Sequence, residues 1–520
     1  MVCPPFFPIA SYTACMKPAQ VLIVGAGPTG LMLALRLARH GIAVRIIDRA
    51  AGPGTASRAM AVHARTLEFY RQLGCADEIV RSGIPIETVH LREADQEVGR
   101  LPLKDIGAGL SPYPYVLAWP QDDHERFLIA RLHECGVQVE WNTALATFSQ
   151  DENGVHALLE HQGQEAYSDT PYLCGCDGGH SRVREVLQIG FPGGTYDHLY
   201  YVADVRTSGP LNTDLVAHLG THTFALMLPV RSSGMQRLIG IMPPAAEQLP
   251  EPGFEDVRPV LEPLLGIRVE EVNWFSTYRV HHRVASEFQS GRCFLLGDAA
   301  HVHSPAGGQG MNTGIGDAVN LSWKLAQVLQ QRAAPAILDS YEAERIIFAR
   351  KLVATTDRAF KAVVAQGMGG QLLRHWLLPH LFPYLTGFPA ARRAVFKTLS
   401  QVQINYEDSR LSGGRAGDVL GGDRLPWVCL GNGDNFAPLQ SLDWQLHVYG
   451  ELSGALAAEA ESLGLPCHVF PWSDTAVHAG LLHDAAYLVR PDGYVALALP
   501  RQETGALPEY ATRNGLRFGV

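Results

Sequence analysis

"FLLGDAAHVHSPAGGQGMNTGIGDAVNLSWKL", Phe294 to Leu325, is the stretch on which the fold turns. It opens as a short apolar strand and halts at Gly297 and Asp298. It then crosses a glycine-rich passage and leaves as an apolar run that predicts a helix over 318–331. Glycine loses more backbone entropy on ordering than any other residue, so a dense set implies close approach by a ligand or by another backbone. A carboxylate at a strand's end suits a hydroxylated chain. The amides of "PAGGQGMN", Pro305 to Asn312, set before a helix, suit a ligand's electron-rich edge.

A second such site lies far upstream. "VLIVGAGPTGLMLALRLARHGIAVRIIDRA" reads strand, turn, helix, strand, with Gly25, Gly27 and Gly30 in the spacing GxGxxG and Asp48 closing the second strand. In this context Gly25 permits a tight turn, Gly27 lets backbone approach a pyrophosphate, and Gly30 lets helix and sheet meet closely. The helix N-terminus faces the phosphates, and Asp48 is placed to accept from adenosine ribose hydroxyls. Leu31, Leu35 and Ala38 share a helical face. One segment for an adenosine diphosphate end and another for a ring end, with a domain between them, fits an extended cofactor such as FAD.

Composition narrows the class. The chain has 520 residues, too many for one core, so two or three domains are expected. With 47% hydrophobic and 18% charged residues and a net charge of -10, it reads as globular and argues against broad nucleic-acid binding. Nine cysteines are scattered without zinc or CxxC spacing, which suits reduced thiols in the cytoplasm. The first twenty residues make a poor signal peptide, and no run has transmembrane length without charge.

Three motifs in order, GAGPTG with Asp48, "CDGGHSRVREVL" (Cys176 to Leu187) and "GRCFLLGDAAHVHSPAGGQGMN", resemble the single-component FAD-dependent aromatic hydroxylases. Within that family the likeness is to the phenol, hydroxyphenylpropionate, chlorophenol and polyketide hydroxylase branch. The resemblance implies noncovalent FAD, NADH or NADPH as co-substrate, and molecular oxygen. Gly25, Gly27, Pro28, Gly30, Asp48 and Arg49 would hold the adenosine diphosphate half, with Arg58 on the pyrophosphate and Gln121 beside the ribityl chain. Asp177 would support FAD and nicotinamide use. Gly297 and Asp298 would take the ribityl hydroxyls. Pro305, Gly307, Gly308, Gly310, Met311 and Asn312 would line the isoalloxazine. The plainer alternatives are a salt-bridged Arg58 and an Asp177 that caps the helix after it.

The resemblance also implies the architecture: α/β and α+β, with a Rossmann-like FAD-binding domain of the aromatic hydroxylase type, a sheet-rich substrate domain and a C-terminal thioredoxin-like domain. The expected boundaries are 17–95 and 115–190 for the first parts of the FAD domain and 191–285 for the substrate domain. The GD motif and long helices, with a second helix over 338–360, would fill 286–400. A linker over 401–426 would precede the thioredoxin-like domain at 427–520. "LYYVADV", "FALMLPV" and "WFSTYRV" read as substrate-domain strands. Cys429 and Cys467 stand alone, so the last domain suits packing or homodimer support rather than disulfide exchange.

The implied chemistry is hydroxylation of a phenol through a flavin C4a-hydroperoxide. An aspartate that some relatives use to take the phenol proton is replaced here by Met60. The remaining candidates for the catalytic side are His63, His222, Pro305 and Tyr406. Tyr406 matches a tyrosine near the substrate entrance of chlorophenol-type relatives, its alternative being to pack a loop onto the FAD domain. "THTFALMLPV", Thr221 to Val230, lacks the arginines that would grip a carboxylate, which favours a neutral phenol. The motifs hold FAD rather than substrate. A Baeyer–Villiger, decarboxylating or N-hydroxylating monooxygenase, and a noncatalytic FAD-binding protein, therefore remain as alternatives.

Overall fold

The computed structural model describes residues 18–54, 59–93, 96–208, 213–219, 224–231, 234–304, 306–364 and 388–519. Val21–Val24 is apolar and buried along its whole length, the signature of a central parallel strand. It pairs in parallel with Val44–Ile47 on one side and Tyr172–Gly175 on the other, and Cys293–Leu295 adds to the latter. Gln289–Ser290 and Val139–Glu140 complete a six-stranded sheet. The register aligns Val24 with Ile47 and with Gly175, and Gly175 with Leu295, so three motifs separated by more than a hundred residues end at one carboxyl edge.

The helix Pro28–Arg39 packs behind that edge. Every residue from Gly30 to Leu37 is buried, more than the single expected face, because the helix Gln309–Leu329 crosses its other side. That second helix begins at Gln309 rather than near Ala318. Its early glycines are used for packing: a Cβ on Gly314 would sit 2.2 Å from the Thr29 hydroxyl oxygen. Tertiary contact thus outweighs the helix penalty of glycine.

The middle sheet has eight strands and a wider catchment than residues 191–285. Its order runs from His301–Val302 through Val269–Val284, Gly193–Thr207, Met235–Ile241, Phe224–Arg231 and Leu215–Leu219 to the hairpin Thr88–Glu93 and Gln96–Pro102. The first strand of that hairpin was expected in the FAD domain, and the second lies between the expected ranges. The hairpin joins the middle sheet because Leu215–Leu219 pairs with it in parallel, Val89 against Leu215. One face of the sheet packs Tyr201, Ala203, Leu238, Ala225 and Met227 on the helix Phe254–Leu265. The other carries Leu228, Val230 and Met235, with Leu226 and Ile239 beside them, toward the nucleotide-type domain.

The C-terminal unit has the expected strand–helix–strand–hairpin order and a six-stranded sheet. The segment expected as a linker is part of it. Gly413–Ala416 pairs with Val495–Leu499, and Leu411 and Leu425 are fully buried. Its glycines answer to strand geometry and not to flexibility: a Cβ on Gly414 would lie 2.2 Å from the Ala498 carbonyl oxygen.

The turn Arg490-Pro491-Asp492-Gly493 enters the first domain. Arg490 is fully buried and makes paired bonds to Glu344 at 2.8 and 2.9 Å and to Asp492 at 3.0 and 2.6 Å. Glu344 also accepts from Lys324, Asn320 and Ser409. Asp492 accepts from the Trp323 indole, and Arg65 and Arg36 donate to the carbonyls of Asp492 and Pro491. Burial alone would raise the pKa of Glu344, but Arg490 and Lys324 hold it well below the usual carboxylate range. Arg490→Met should therefore cost about 3–5 kcal/mol, since it removes four charged hydrogen bonds and leaves the buried Asp492 carboxylate with the Trp323 indole, while Glu344 keeps Lys324. Urea denaturation would measure this, and a loss below about 1 kcal/mol would show the turn to be loosely held.

Candidate functional site

The carboxyl edge of the parallel sheet brings most of the expected residues together. Gly25, at φ 105°, turns under the carbonyl of Cys176, where a Cβ would approach its oxygen to 2.3 Å. A Cβ on Gly30 would lie 2.0 Å from the Gly25 oxygen, so both expected glycine roles hold for packing reasons. Gly27 is the N-cap of the helix, Pro28 its first residue, and the direction in which a Cβ of Gly27 would point meets no atom within 4 Å. The turn thus leaves its amide side as a cradle, as anion recognition at a helix N-terminus requires.

Asp48 is held at the same edge. Its oxygens accept from the amides of Ala26 at 2.7 Å and Ala50 at 2.8 Å, which orients the carboxylate beside the turn; Arg49 next to it is exposed. Gln121 begins the helix Gln121–Glu134. Its side chain donates to Glu125, which accepts in turn from the Gly54 amide.

Asp177 follows the third strand and accepts from the amides of Arg182 and Val183, so it does cap the short turn after it. Its Oδ1 is buried without a hydrogen-bond partner among the described residues. Burial raises its pKa against the pull of Ser181 and the amides. An orphaned carboxylate oxygen beside the Gly25 turn is what a hydroxyl-bearing ligand would satisfy. Arg184, which the motif reading passed over, donates to the Ala299 carbonyl at 2.8 Å and to the Gly179 carbonyl at 2.7 Å, and so ties two motifs together. Its position inside "SRVREVL" was the available signal.

Gly297 and Asp298 lie on a single 3-10 turn, Gly297–Ala299, with Asp298 exposed at the edge. Gly307 and Gly308, both at positive φ, form the passage into the helix Gln309–Leu329, where Gly310, Met311 and Asn312 make the first turn. The Asn312 side chain is saturated. Its oxygen accepts from the His63 amide and the Thr66 hydroxyl, and its nitrogen donates to the carbonyls of Ala61 and Gly308. It is a clamp for the loop, and the orphan amides of this helix start are those of the residues before it, Gly308 to Met311.

His63 is fully buried and its Nε2–H donates to the Gly307 carbonyl at 2.9 Å. Burial, against the two glycine carbonyls, brings its pKa down to about 4. Neutral His63 therefore braces the glycine passage. Tyr406 does not join this group. It is 5% exposed, stacks on Tyr494 and accepts a hydrogen bond from Arg345. The cavity beside it has a volume of about 10 Å³, room for one water and not for a phenol. The expectation of a substrate-facing Tyr406 fails because the segment 401–426 is folded into the domain interface. Arg58, His222 and Pro305 lie outside the described residues.

On the face of the middle sheet turned to this edge, Arg237 pairs with Asp204 through two bonds of 2.7 and 2.8 Å, both side chains buried. Its Nη1 also reaches the Ala59 carbonyl at 3.4 Å. This pair was not anticipated, because only the sheet register brings residues 204 and 237 side by side.

His63 provides a test of this arrangement. With a folded pKa near 4 and an unfolded value near 6.5, its stability contribution is complete above pH 6.5 and is lost as pH falls through 4. His63→Gln keeps a donor and cannot titrate. The wild type should lose more stability than the variant between pH 7.5 and pH 5, read as the difference in urea midpoints; parallel curves would refute the neutral buried state.

The comparisons agree with this geometry. The family described as FAD binding domain matches residues 18–356. A 6-methylpretetramide 4-monooxygenase from Streptomyces rimosus is 39% identical over 421 residues, covering 77% of this chain and 72% of that one. A pentachlorophenol 4-monooxygenase from Sphingobium chlorophenolicum is 32% identical over 422 residues, covering 78% and 75%. Among solved structures, a ternary complex of aklavinone-11 hydroxylase with FAD and aklavinone superposes with a TM-score of 0.76 at 26% identity, covering 97% of this chain and 100% of that one. A profile match over most of the chain, and relatives of this identity and coverage, mean that the chain belongs to the FAD-binding family of flavin-dependent aromatic hydroxylases.

Proposed function

We propose that the protein is an NADH- or NADPH-consuming monooxygenase that hydroxylates a neutral phenolic substrate, of the polycyclic kind named for several of its relatives. The observation that carries the reading is the meeting of the Gly25 turn, Asp48, Asp177 and the Gly297–Asp298 turn along one edge, with the helix that starts at Gln309 packed on Thr29 and Gly297 through Gly314 and an apolar sheet face against the same core. Those residues fit FAD. The open direction at Gly27 and the orphaned Oδ1 of Asp177 are the features such a ligand would complete.

Bound FAD, once reduced by the nicotinamide, supplies activation of molecular oxygen. The balance is phenol, O2, NAD(P)H and a proton giving the ring-hydroxylated phenol, NAD(P)+ and water. The chain's own part is to bind and to exclude water. The Gly25–Gly30 turn and helix N-terminus take the phosphates, Asp48 the ribose, and Asp298 the ribityl hydroxyls. Amides at the start of Gln309–Leu329 favour negative charge at the ring's edge. Leu226, Leu228 and Ile239 offer apolar contact to an aromatic substrate. The Arg237 charge is matched by Asp204, which supports a neutral ligand over a carboxylate-bearing one.

The test combines phenols of one to four rings with FAD, either nicotinamide and ¹⁸O₂. Phenol-stimulated nicotinamide oxidation with one labelled oxygen on a ring carbon is expected. Labelled lactone from a cyclic ketone, without phenol turnover, would replace this reading with Baeyer–Villiger oxygen insertion. Separately, Asp298→Ala should weaken FAD by roughly tenfold, a charged hydrogen bond contributing about 1.5 kcal/mol even at an exposed edge. Equal affinity by flavin fluorescence titration would remove Asp298 from the ribityl site.

A further inference from the structure

Tyr406 is buried beside a cavity too small for a phenol, yet its hydroxyl starts an unbroken buried line to the GD turn. Arg345 Nη1 donates to the Tyr406 hydroxyl at 3.0 Å, and Arg345 Nε donates to Asp317 Oδ1 at 2.6 Å. Asp317 Oδ2 accepts the backbone amide of Gly297 at 3.0 Å and faces His301 Nε2 at 2.8 Å. Arg345 Nη2 donates to the Thr313 carbonyl in the first turns of Gln309–Leu329. The side chains of Tyr406, Arg345, Asp317 and His301 are at most 5% exposed. Residue 316 is glycine where the guanidinium passes, and a Cβ there would approach Nη2 to 3.2 Å.

The geometry has a direct consequence. A guanidinium is a rigid planar fork, so the direction of one N–H fixes the others. Tyr406 takes one arm, Asp317 and Thr313 the rest. Losing the Tyr406 oxygen frees Arg345 to tilt toward the small cavity beside it. Tilting moves the Asp317 carboxylate that holds the Gly297 amide.

We propose that Tyr406, at the junction with the C-terminal domain, is a positioning residue for the FAD site, acting through Arg345 and Asp317 on the backbone of Gly297 and Asp298. The C-terminal unit thereby sets the shape of the cofactor turn without touching the cofactor. This rests on the FAD reading for its affinity arm, but not for its exchange arm.

The experiment compares Tyr406→Phe with Tyr510→Phe. Tyr510 is equally buried and donates its hydroxyl to the Leu411 carbonyl, off the line, so the two variants lose the same atom. In FAD-free protein, amide hydrogen exchange of the peptide spanning 293–300 should rise in Tyr406→Phe and stay at the wild-type rate in Tyr510→Phe. FAD should bind Tyr406→Phe about threefold to tenfold more weakly, and Tyr510→Phe as tightly as wild type. Asp317→Asn should move the same peptide in the same direction. Unchanged exchange at 293–300 in Tyr406→Phe, or an equal rise in Tyr510→Phe, would overturn the proposal and leave Tyr406 as packing alone. A wild type that binds no FAD would refute the cofactor reading, while the exchange result would still decide the positioning line.

Discussion

The parallel pairing of Val21–Val24 with Val44–Ile47 and Tyr172–Gly175, extended by Cys293–Leu295, is the constraint on which the rest depends. Parallel strands in register must end at one edge, and three of the four are buried along their whole length, with the inner half of Val44–Ile47 buried as well. Gly25, Asp48, Asp177 and Gly297 are therefore delivered to one place by backbone hydrogen bonding, before any side chain chooses a partner. A ligand at the carboxyl ends of such a sheet is the general consequence.

Around that edge the protein spends polar groups on holding backbone. Asn312 is saturated by four partners, His63 is kept neutral against Gly307, and Arg184 ties the turn after Tyr172–Gly175 to the turn after Cys293–Leu295. Glycine passages cannot hold their own shape, and these contacts replace the restraint that side chains at 307 and 308 would have imposed. The same logic extends to the C-terminal unit. Its Arg490–Asp492 turn sits among Glu344, Lys324 and Trp323, on the helices Asp339–Val364 and Gln309–Leu329. A buried ion network of this kind contributes little net stability but penalises any arrangement that leaves one member unpaired. It suits a domain junction that must adopt a single geometry.

The middle sheet follows a different principle. Alternation on Phe224–Arg231 and Met235–Ile241 sends Ala225, Met227 and Leu238 to the helix Phe254–Leu265, and Leu226, Leu228 and Ile239 to the core of the first domain. Charge on that face is present but internally matched by Arg237 and Asp204. On the proposed reading, shape and apolar area are then left to select the substrate, and hydrophobic pockets discriminate by only about 1–3 kcal/mol per methylene. A face of this kind suits large ring systems, where many small differences add.

Sequence alone determined what is local. The strand–turn–helix at Gly25 to Gly30, the hairpin around Arg490 to Gly493 and the acidic turn at Asp298 each depend on residues within a few positions of one another. Spacing in the chain is then spacing in the molecule. Tertiary structure decided everything that rests on pairing between distant segments. The hairpin Thr88–Pro102 belongs to the middle sheet through Leu215–Leu219, the glycine-rich 411–426 belongs to the C-terminal sheet through Val495–Leu499, and Tyr406 faces Arg345 in the domain interface. Arg345, Asp317 and Gly297 form one line only because two helices and a strand end are packed together. No periodicity records such a meeting, since a side chain's partner across a core is set by how the elements pack and not by where it lies in the chain.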